Sequence, residues 1–181
     1  MKLYFLSIGS NIDPHRHIPH IVQLLCSMTP RLFISRIVAT EPVGMLSNEP
    51  FLNLTAAIES QLSAAALKKE LVAIEHQLGR DRSDPLSKVK NRAADIDILF
   101  ALPVGGTRAP ADLPKEPYVR PLLLELLAAL NIGPLPSRPA LSPGVPLYLD
   151  RRLIGLTPMA LRFASGGLHT KPATTKEYIN E

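Results

Sequence analysis

Two aspartates separated by one residue are the clearest chemical feature of this sequence. Asp95 and Asp97 lie in the apolar segment "ADIDILF", whose length and composition are typical of a strand. Because side chains alternate along a strand, both carboxylates are expected on one face, with Ile96 and Ile98 directed into the core. Carboxylates placed in this way can bind a pair of Mg²⁺ ions. A solvated face of an edge strand is the alternative, although aspartate is unfavourable in strands.

A basic segment directly precedes this strand. Its members are Arg80, Arg82, Lys88, Lys90 and Arg92. Arginines beside a pair of metal-binding carboxylates can neutralise the charge on phosphoryl oxygens during transfer. A solvated charge run is the alternative, and adjacency to the aspartates favours the functional interpretation. We therefore expect transfer of a phosphate-containing group from ATP.

Other motifs with chemical potential are weak. The sequence contains no phosphate-binding loop of the GxxxxGKS type. Three histidines near the start are interrupted by prolines and lack cysteine partners, so a zinc site is not favoured. The single cysteine, Cys26, lies in the apolar run "IVQLLCSM" and is interpreted as a buried core thiol.

Composition limits the class of protein. A chain of 181 residues with 46% hydrophobic residues fits one domain with a substantial core. The formal net charge of +4 suits an anionic substrate without requiring nucleic acid. The lone cysteine excludes an internal disulfide, and neither a signal peptide nor an apolar stretch of about 18 residues is recognisable. We expect a cytoplasmic protein that contacts no membrane and no nucleic acid.

Hydrophobic periodicity predicts an ordered series of elements up to residue 100. Strands are predicted at 3–8, 31–40, 51–60 and 94–100, and helices at 17–28 and 64–80. The resulting β-α-β-β-α-β order is characteristic of the α+β, ferredoxin-like arrangement. It predicts an antiparallel sheet with both helices on one face.

The second half of the chain is rich in proline. Residues 101–117 and 131–149 are predicted loops, a short helix is predicted at 120–130, and 145–155 has the composition of one or two short strands. A single domain is predicted over 1–163 with this C-terminal extension included. Residues 164–181 are predicted to be a polar, mobile tail.

Five segments together resemble one family. They are "SIGSN" at 7–11, "TEPVG" at 40–44, "PFLNL" at 50–54, "IEHQLGRDR" at 74–82 and "NRAADIDIL" at 91–99. In this order and near this spacing they resemble 6-hydroxymethyl-7,8-dihydropterin pyrophosphokinases of folate biosynthesis. A later "VRPLLLEL" at 119–126 is similar to that family's apolar segment.

The resemblance implies a reaction, a fold and a set of site residues. The pyrophosphoryl group of ATP would move to the hydroxymethyl oxygen of the pterin, releasing AMP, on a ferredoxin-like core. Asp95 and Asp97 match the ligands of two Mg²⁺ ions. The catalytic-loop arginines match Arg80, Arg82 and Arg92. The pterin pocket matches Thr40, Pro42, Val43, Gly44, Phe51 and Asn53. ATP-site positions match Glu75 and Ile98, whereas Gly9 and Asn11 match a structural loop.

The sequence also departs from that family's pattern. Lys90 and Asn91 replace a Gly-Pro pair before the catalytic arginine, and the segment that carries an ATP-binding histidine is shortened and lacks the histidine. Lys115 or Arg108 could replace its phosphate contact, and Tyr118 could stack on the pterin.

Two other functions stay open from the sequence. The lost nucleotide segment is compatible with a non-catalytic paralogue that binds pterin or regulates a protein partner, whose identity is unknown. The βαββαβ order also occurs in RNA-binding modules, which stack bases on aromatic side chains of the central strands. The segment "AAIES" offers no such platform, and two aspartates on the fourth strand would repel phosphate.

Overall fold

The computed structural model describes residues 1–136, 140–164 and 166–174. Within these ranges the elements are β1 (Lys2–Ser10), α1 (Pro14–Met28), β2 (Leu32–Ile34), β3 (Val38–Thr40), β4 (Phe51–Ser60), α2 (Ala64–Gln77), β5 (Asp95–Pro103), α3 (Arg120–Ala129), β6 (Leu147–Leu149), β7 (Arg152–Ile154), β8 (Met159–Ala164) and β9 (Gly167–Pro172). All pairings between these strands are antiparallel.

The central sheet has the predicted α+β, ferredoxin-like topology. Its strand order is β5-β1-β4-β2-β8-β9, with β3 also paired to β4. The strands β1 and β4 pair along their whole length, and β5 pairs with the opposite side of β1. The strand with the two aspartates is therefore an edge strand of the sheet.

Two hydrophobic layers cover the two faces of the sheet. Leu25 of α1 and Leu71 of α2 belong to one core cluster together with Leu6 and Ile96 of the sheet, so both helices lie on one face, as predicted. The leucines of α3 pack on the opposite face against another cluster that includes Phe5. This helix covers the face that an RNA-binding module of this topology would use.

Cys26 lies in the helical core layer, as its apolar setting predicts. Its side chain is buried, and burial raises the pKa of the thiol to about 12. A thiol with that pKa is protonated at neutral pH and is a poor nucleophile.

The single strand predicted at 31–40 is wrong, because two short strands replace it. The backbone between β2 and β3 finds partners elsewhere: Arg36 donates its N–H to Glu125 of α3 at 3.1 Å, and Ile37 donates to the carbonyl of Gly155 at 2.9 Å. Alternation in the sequence could not reveal these long-range partners.

The predicted C-terminal tail is partly wrong as well. Gly167–Pro172 forms β9, which pairs with β8 over the register from Ala164–Gly167 to Met159–Pro172. Polar side chains there conceal a strand because one of its faces is solvated, as in many antiparallel sheets. The strands anticipated in 145–155 are confirmed as β6 and β7. Residues 165 and 175–181 of the predicted tail lie outside the described residues.

Helix α3 is fastened to the sheet by a nearly buried ion pair. Glu125 accepts from the Arg36 Nε at 2.7 Å in addition to the backbone bond, and its side chain is 11% exposed.

Among the described ranges, none of the helices combines the length and apolar composition needed to cross a bilayer.

Removing the Glu125 carboxylate should destabilise the fold. Glu125→Ala removes the acceptor of the Arg36 Nε and of the Arg36 backbone N–H, while the bond from the Arg36 Nη1 to the Ser142 carbonyl remains, so we expect the free energy of unfolding to fall by about 1–3 kcal/mol. Urea denaturation followed by circular dichroism measures this change. The exposed Glu70 of α2 supplies the control, since Glu70→Ala should change stability by less than about 0.5 kcal/mol. Equal stability of the two variants would contradict the anchoring role.

Candidate active site

The register of three strands assembles the site on the α3 face of the sheet. Gly9 of β1 pairs with Asn53 of β4 on one side and with Asp95 of β5 on the other. Two residues earlier on β1, Ser7 pairs with Asp97. The two carboxylates therefore share one face, as the alternation predicted, while Ile96 packs into the core on the other face.

Asp95 is held between two arginines. Arg80 donates to its Oδ1 and Arg92 donates to its Oδ2. Burial disfavours the charged carboxylate, but the hydrogen bonds and charges of the two guanidinium groups outweigh it and hold the pKa of Asp95 below its ordinary value. Asp95 is consequently an anion at neutral pH.

Beneath this pair lies Glu75, a fully buried carboxylate of α2. Its Oε1 accepts from the backbone N–H of Ile96 at 2.6 Å and from Arg80 at 3.2 Å. Arg82 binds both oxygens, at 2.5 and 2.8 Å. Glu75 thus orients the two loop arginines and fastens α2 to the outer edge of β5.

Asn11 fixes the backbone of Arg92 from the end of β1. Its Oδ1 accepts from the Arg92 N–H at 2.8 Å, and its own N–H donates to the Arg92 carbonyl at 3.0 Å. The Asn11 side chain also donates to Asn91 at 2.8 Å. The structural role expected of Asn11 is therefore to position a site arginine.

The amide of Asn53 lies across the backbone of β1. Its Nδ2 donates to the Thr40 hydroxyl at 2.6 Å. A Cβ added at Gly9 would lie 2.6 Å from the Asn53 Oδ1, a separation that only glycine at this position avoids. Phe51 lies nearby, with the Arg92 guanidinium 5.8 Å from its ring centre, within range of a cation–π contact.

Phe51, Asn53, Arg92 and Asp95 line a cavity of about 560 Å³, a volume in the usual range for small-ligand sites. The predicted site residues on its wall are Thr40, Val43, Phe51, Asn53, Arg92, Asp95, Asp97, Ile98 and Lys115. The cavity thus brings together members of the predicted pterin, ATP and metal sets.

The remaining predicted site residues are not on the cavity wall. Arg80 and Arg82 lie behind Asp95 on Glu75. Pro42 and Gly44 belong to the loop before β4. Arg108 is exposed and forms an isolated backbone bridge to Gly133. The predicted ATP contact of Glu75 stays a prediction, as do the predicted roles of the others.

Several residues at the site were not assigned from the sequence. Lys68 of α2 donates to Asp97 Oδ1 at 2.7 Å. Asp112 and Glu116 line the cavity beside Tyr118, and burial together with the Glu116 charge raises the pKa of the Tyr118 hydroxyl. The one feature of the sequence that could have indicated Lys68 is its spacing from Glu75, because residues seven apart lie on the same face of a helix.

The oxygen donors present fit a magnesium site in which the substrate supplies some of the metal ligands. Among the described residues, no group of three or more His, Cys, Asp or Glu side chains could hold a metal ion. Mg²⁺ is commonly held by one or two carboxylates together with water and substrate phosphates. Asp95 and Asp97 are a suitable pair of hard oxygen donors for that arrangement.

Acid should remove the stabilisation that ionised Asp95 provides. The folded-state pKa of Asp95 lies below the unfolded value of about 3.9, so its contribution is complete from about pH 5 upward and is lost as the pH falls through the folded pKa. We expect the excess stability of the wild type over Asp95→Asn to persist between about pH 5 and 7 and to shrink in stronger acid. Urea titrations in EDTA measure this difference, and an excess that is undiminished at about pH 2 would contradict the assigned arginine contacts.

The chain is similar in sequence to known proteins of one family. The family model of 7,8-dihydro-6-hydroxymethylpterin-pyrophosphokinase matches residues 5–130. The 2-amino-4-hydroxy-6-hydroxymethyldihydropteridine pyrophosphokinase of Porphyromonas gingivalis is 37% identical over 102 residues, which cover 55% of this chain and 69% of that protein. The protein of the same name from Bacillus subtilis is 32% identical over 103 residues, which cover 55% of this chain and 59% of that protein.

A further similar protein of that name, from Haemophilus influenzae, is 32% identical over 101 residues, which cover 53% of this chain and 60% of the relative. The residues that line the cavity, from Ser7 to Val119, all lie inside the matched residues 5–130. Since this match covers well over half of the 181 residues, the chain belongs to the 7,8-dihydro-6-hydroxymethylpterin-pyrophosphokinase family.

Proposed function

We propose that this protein transfers the pyrophosphoryl group of ATP to the hydroxymethyl oxygen of 6-hydroxymethyl-7,8-dihydropterin, with release of AMP, in folate biosynthesis. Asp95 and Asp97 would hold two Mg²⁺ ions. The observation that carries the proposal is one cavity with the two carboxylates, an arginine, and the Asn53–Thr40 pair on its wall.

The carboxylate side of the cavity suits a triphosphate. Bound magnesium would neutralise phosphate charge and polarise the bonds to phosphorus. Arg92 adds a guanidinium, which suits phosphate oxygens. Lys115 supplies a further cation on the wall.

The opposite side of the cavity suits a planar heterocycle. Phe51 and Val43 offer apolar surface there. The Asn53 amide offers donors and an acceptor, and its orientation is fixed by the bond to Thr40. A planar, largely uncharged pterin needs this combination of apolar walls and a few fixed polar groups.

Arg92 joins the two sides, because it contacts Asp95 and lies over Phe51. The alcohol oxygen of the pterin would form a bond to the β-phosphorus while the bond from this phosphorus to the α,β-bridging oxygen breaks. AMP leaves with that oxygen, and the alcohol proton passes to solvent. Positioning and charge neutralisation are thus the main contributions of the protein.

A pterin-binding paralogue without turnover is the second candidate. It is favoured by the cavity wall formed by residues 112–119, which adds Asp112 and Glu116 to the two aspartates. Additional negative charge opposes binding of a triphosphate. The two candidates differ in one product, since only the enzyme forms AMP from ATP.

Turnover should require both aspartates. With ATP, Mg²⁺ and 6-hydroxymethyl-7,8-dihydropterin we expect the wild type to form AMP. We expect Asp95→Asn and Asp97→Asn to reduce the rate of AMP formation by about 100-fold or more. Chromatographic detection of AMP gives the rates, and Glu70→Gln on the exposed side of α2 is the control. Full activity in either aspartate variant would refute the metal assignment. Pterin binding without any AMP from the wild type would instead identify the paralogue.

Pterin affinity should depend on Asn53 and little on magnesium. Asn53→Ala removes an oriented amide, so we expect binding weaker by about 5- to 30-fold. Titration of pterin fluorescence in EDTA and in Mg²⁺ measures both effects. The exposed Gln61 provides a matched amide control in Gln61→Ala. Unchanged affinity in the Asn53 variant would place the pterin elsewhere.

A further inference from the structure

Lys68 extends from α2 around the free edge of the sheet to the second aspartate. Its ammonium donates to the Asp97 Oδ1 and to the Ile96 carbonyl, both at 2.7 Å. The helix lies on the opposite face of the sheet from the cavity. The side chain thus introduces a positive charge at a carboxylate from outside the cavity wall.

Both backbone groups of Ile96 on this edge are bound by α2. The N–H donates to Glu75 at 2.6 Å, and the carbonyl accepts from Lys68. Seven residues separate Lys68 from Glu75, so the two side chains lie on one helix face two turns apart. The lysine head is therefore directed to Asp97 by a second, backbone contact.

The two aspartates hold their cations with unequal strength. The Arg80 side chain on Asp95 is only 6% exposed and is fixed by Glu75. The pair on Asp97 is open to solvent, with 34% exposure for Lys68 and 57% for Asp97. An exposed ion pair is weak, and lysine has a flexible four-carbon stem. Asp97 is consequently the aspartate that can exchange its partner.

We propose that Lys68 is a built-in counter-ion of Asp97 that competes with the divalent cation, and so sets the cation concentration at which the site fills. This proposal rests on the proposed function, in which Asp97 is a metal ligand. A divalent ion entering at Asp97 must displace the ammonium or share the carboxylate with it. Either case costs free energy that a neutral residue at position 68 would not require.

Substitutions at position 68 separate charge from hydrogen bonding. Lys68→Gln keeps a donor for the Ile96 carbonyl but removes the charge, whereas Lys68→Arg keeps the charge. The neighbouring Lys69 is exposed on the same helix, so Lys69→Gln is a matched control for the loss of net charge. Mn²⁺ is the probe, because electron paramagnetic resonance reports its free concentration directly.

Mn²⁺ titrations should be performed without substrates and again with a non-hydrolysable ATP analogue. We expect Lys68→Gln to bind Mn²⁺ about five-fold more tightly than the wild type. Lys68→Arg and Lys69→Gln should stay within about two-fold of the wild type. Circular dichroism melts establish that each variant is folded.

Equal or weaker Mn²⁺ binding by folded Lys68→Gln would overturn the proposal and leave Lys68 as a structural clamp of the strand edge. Tightening by Lys69→Gln to the same extent would also overturn it, since a general charge effect would then be sufficient. Asp97→Asn separates the two levels of inference. If Asp97→Asn in an otherwise wild-type protein leaves the Mn²⁺ affinity unchanged, the metal assignment itself fails. If the wild type forms AMP but Lys68→Gln does not change the Mn²⁺ affinity, only the counter-ion role of Lys68 fails.

Discussion

The buried carboxylate of Glu75 is the interaction on which the candidate site depends. It accepts from the N–H of Ile96 on the edge strand and from both loop arginines. A buried carboxylate without such donors would be strongly destabilising. The contacts that satisfy Glu75 therefore also fix three parts of the site: the helix, the loop that follows it and the strand with the two aspartates.

Charge balance around the aspartates follows from this arrangement. Arg80 pairs with both Glu75 and Asp95, and Arg92 pairs with the other carboxylate oxygen of Asp95. The aspartate is thereby kept ionised although it is largely buried. Asp97 is more exposed, and its ion-pair partner among the described residues is Lys68. One carboxylate is thus held in a rigid network, and the other has a partner that solvent can reach.

Local patterns in the sequence were sufficient for much of this picture. Alternation in the strand correctly predicted that Asp95 and Asp97 share a face, and the element order predicted the ferredoxin-like sheet. Long-range contacts were beyond those patterns. The partner of Asp97 comes from a helix on the other face, and the division of 31–40 into two strands depends on Glu125 and Gly155. The polar strand Gly167–Pro172 was missed because its pairing with β8, rather than its own composition, forms it.

A crystal structure of the protein with Mg²⁺, a non-hydrolysable ATP analogue and the pterin tests the central claim most directly. The account predicts metal ions within about 2.1 Å of an oxygen of Asp95 and an oxygen of Asp97, with the phosphates beside Arg92 and the pterin ring beside Asn53. Metal bound away from both aspartates, or a nucleotide bound outside this cavity, would contradict it.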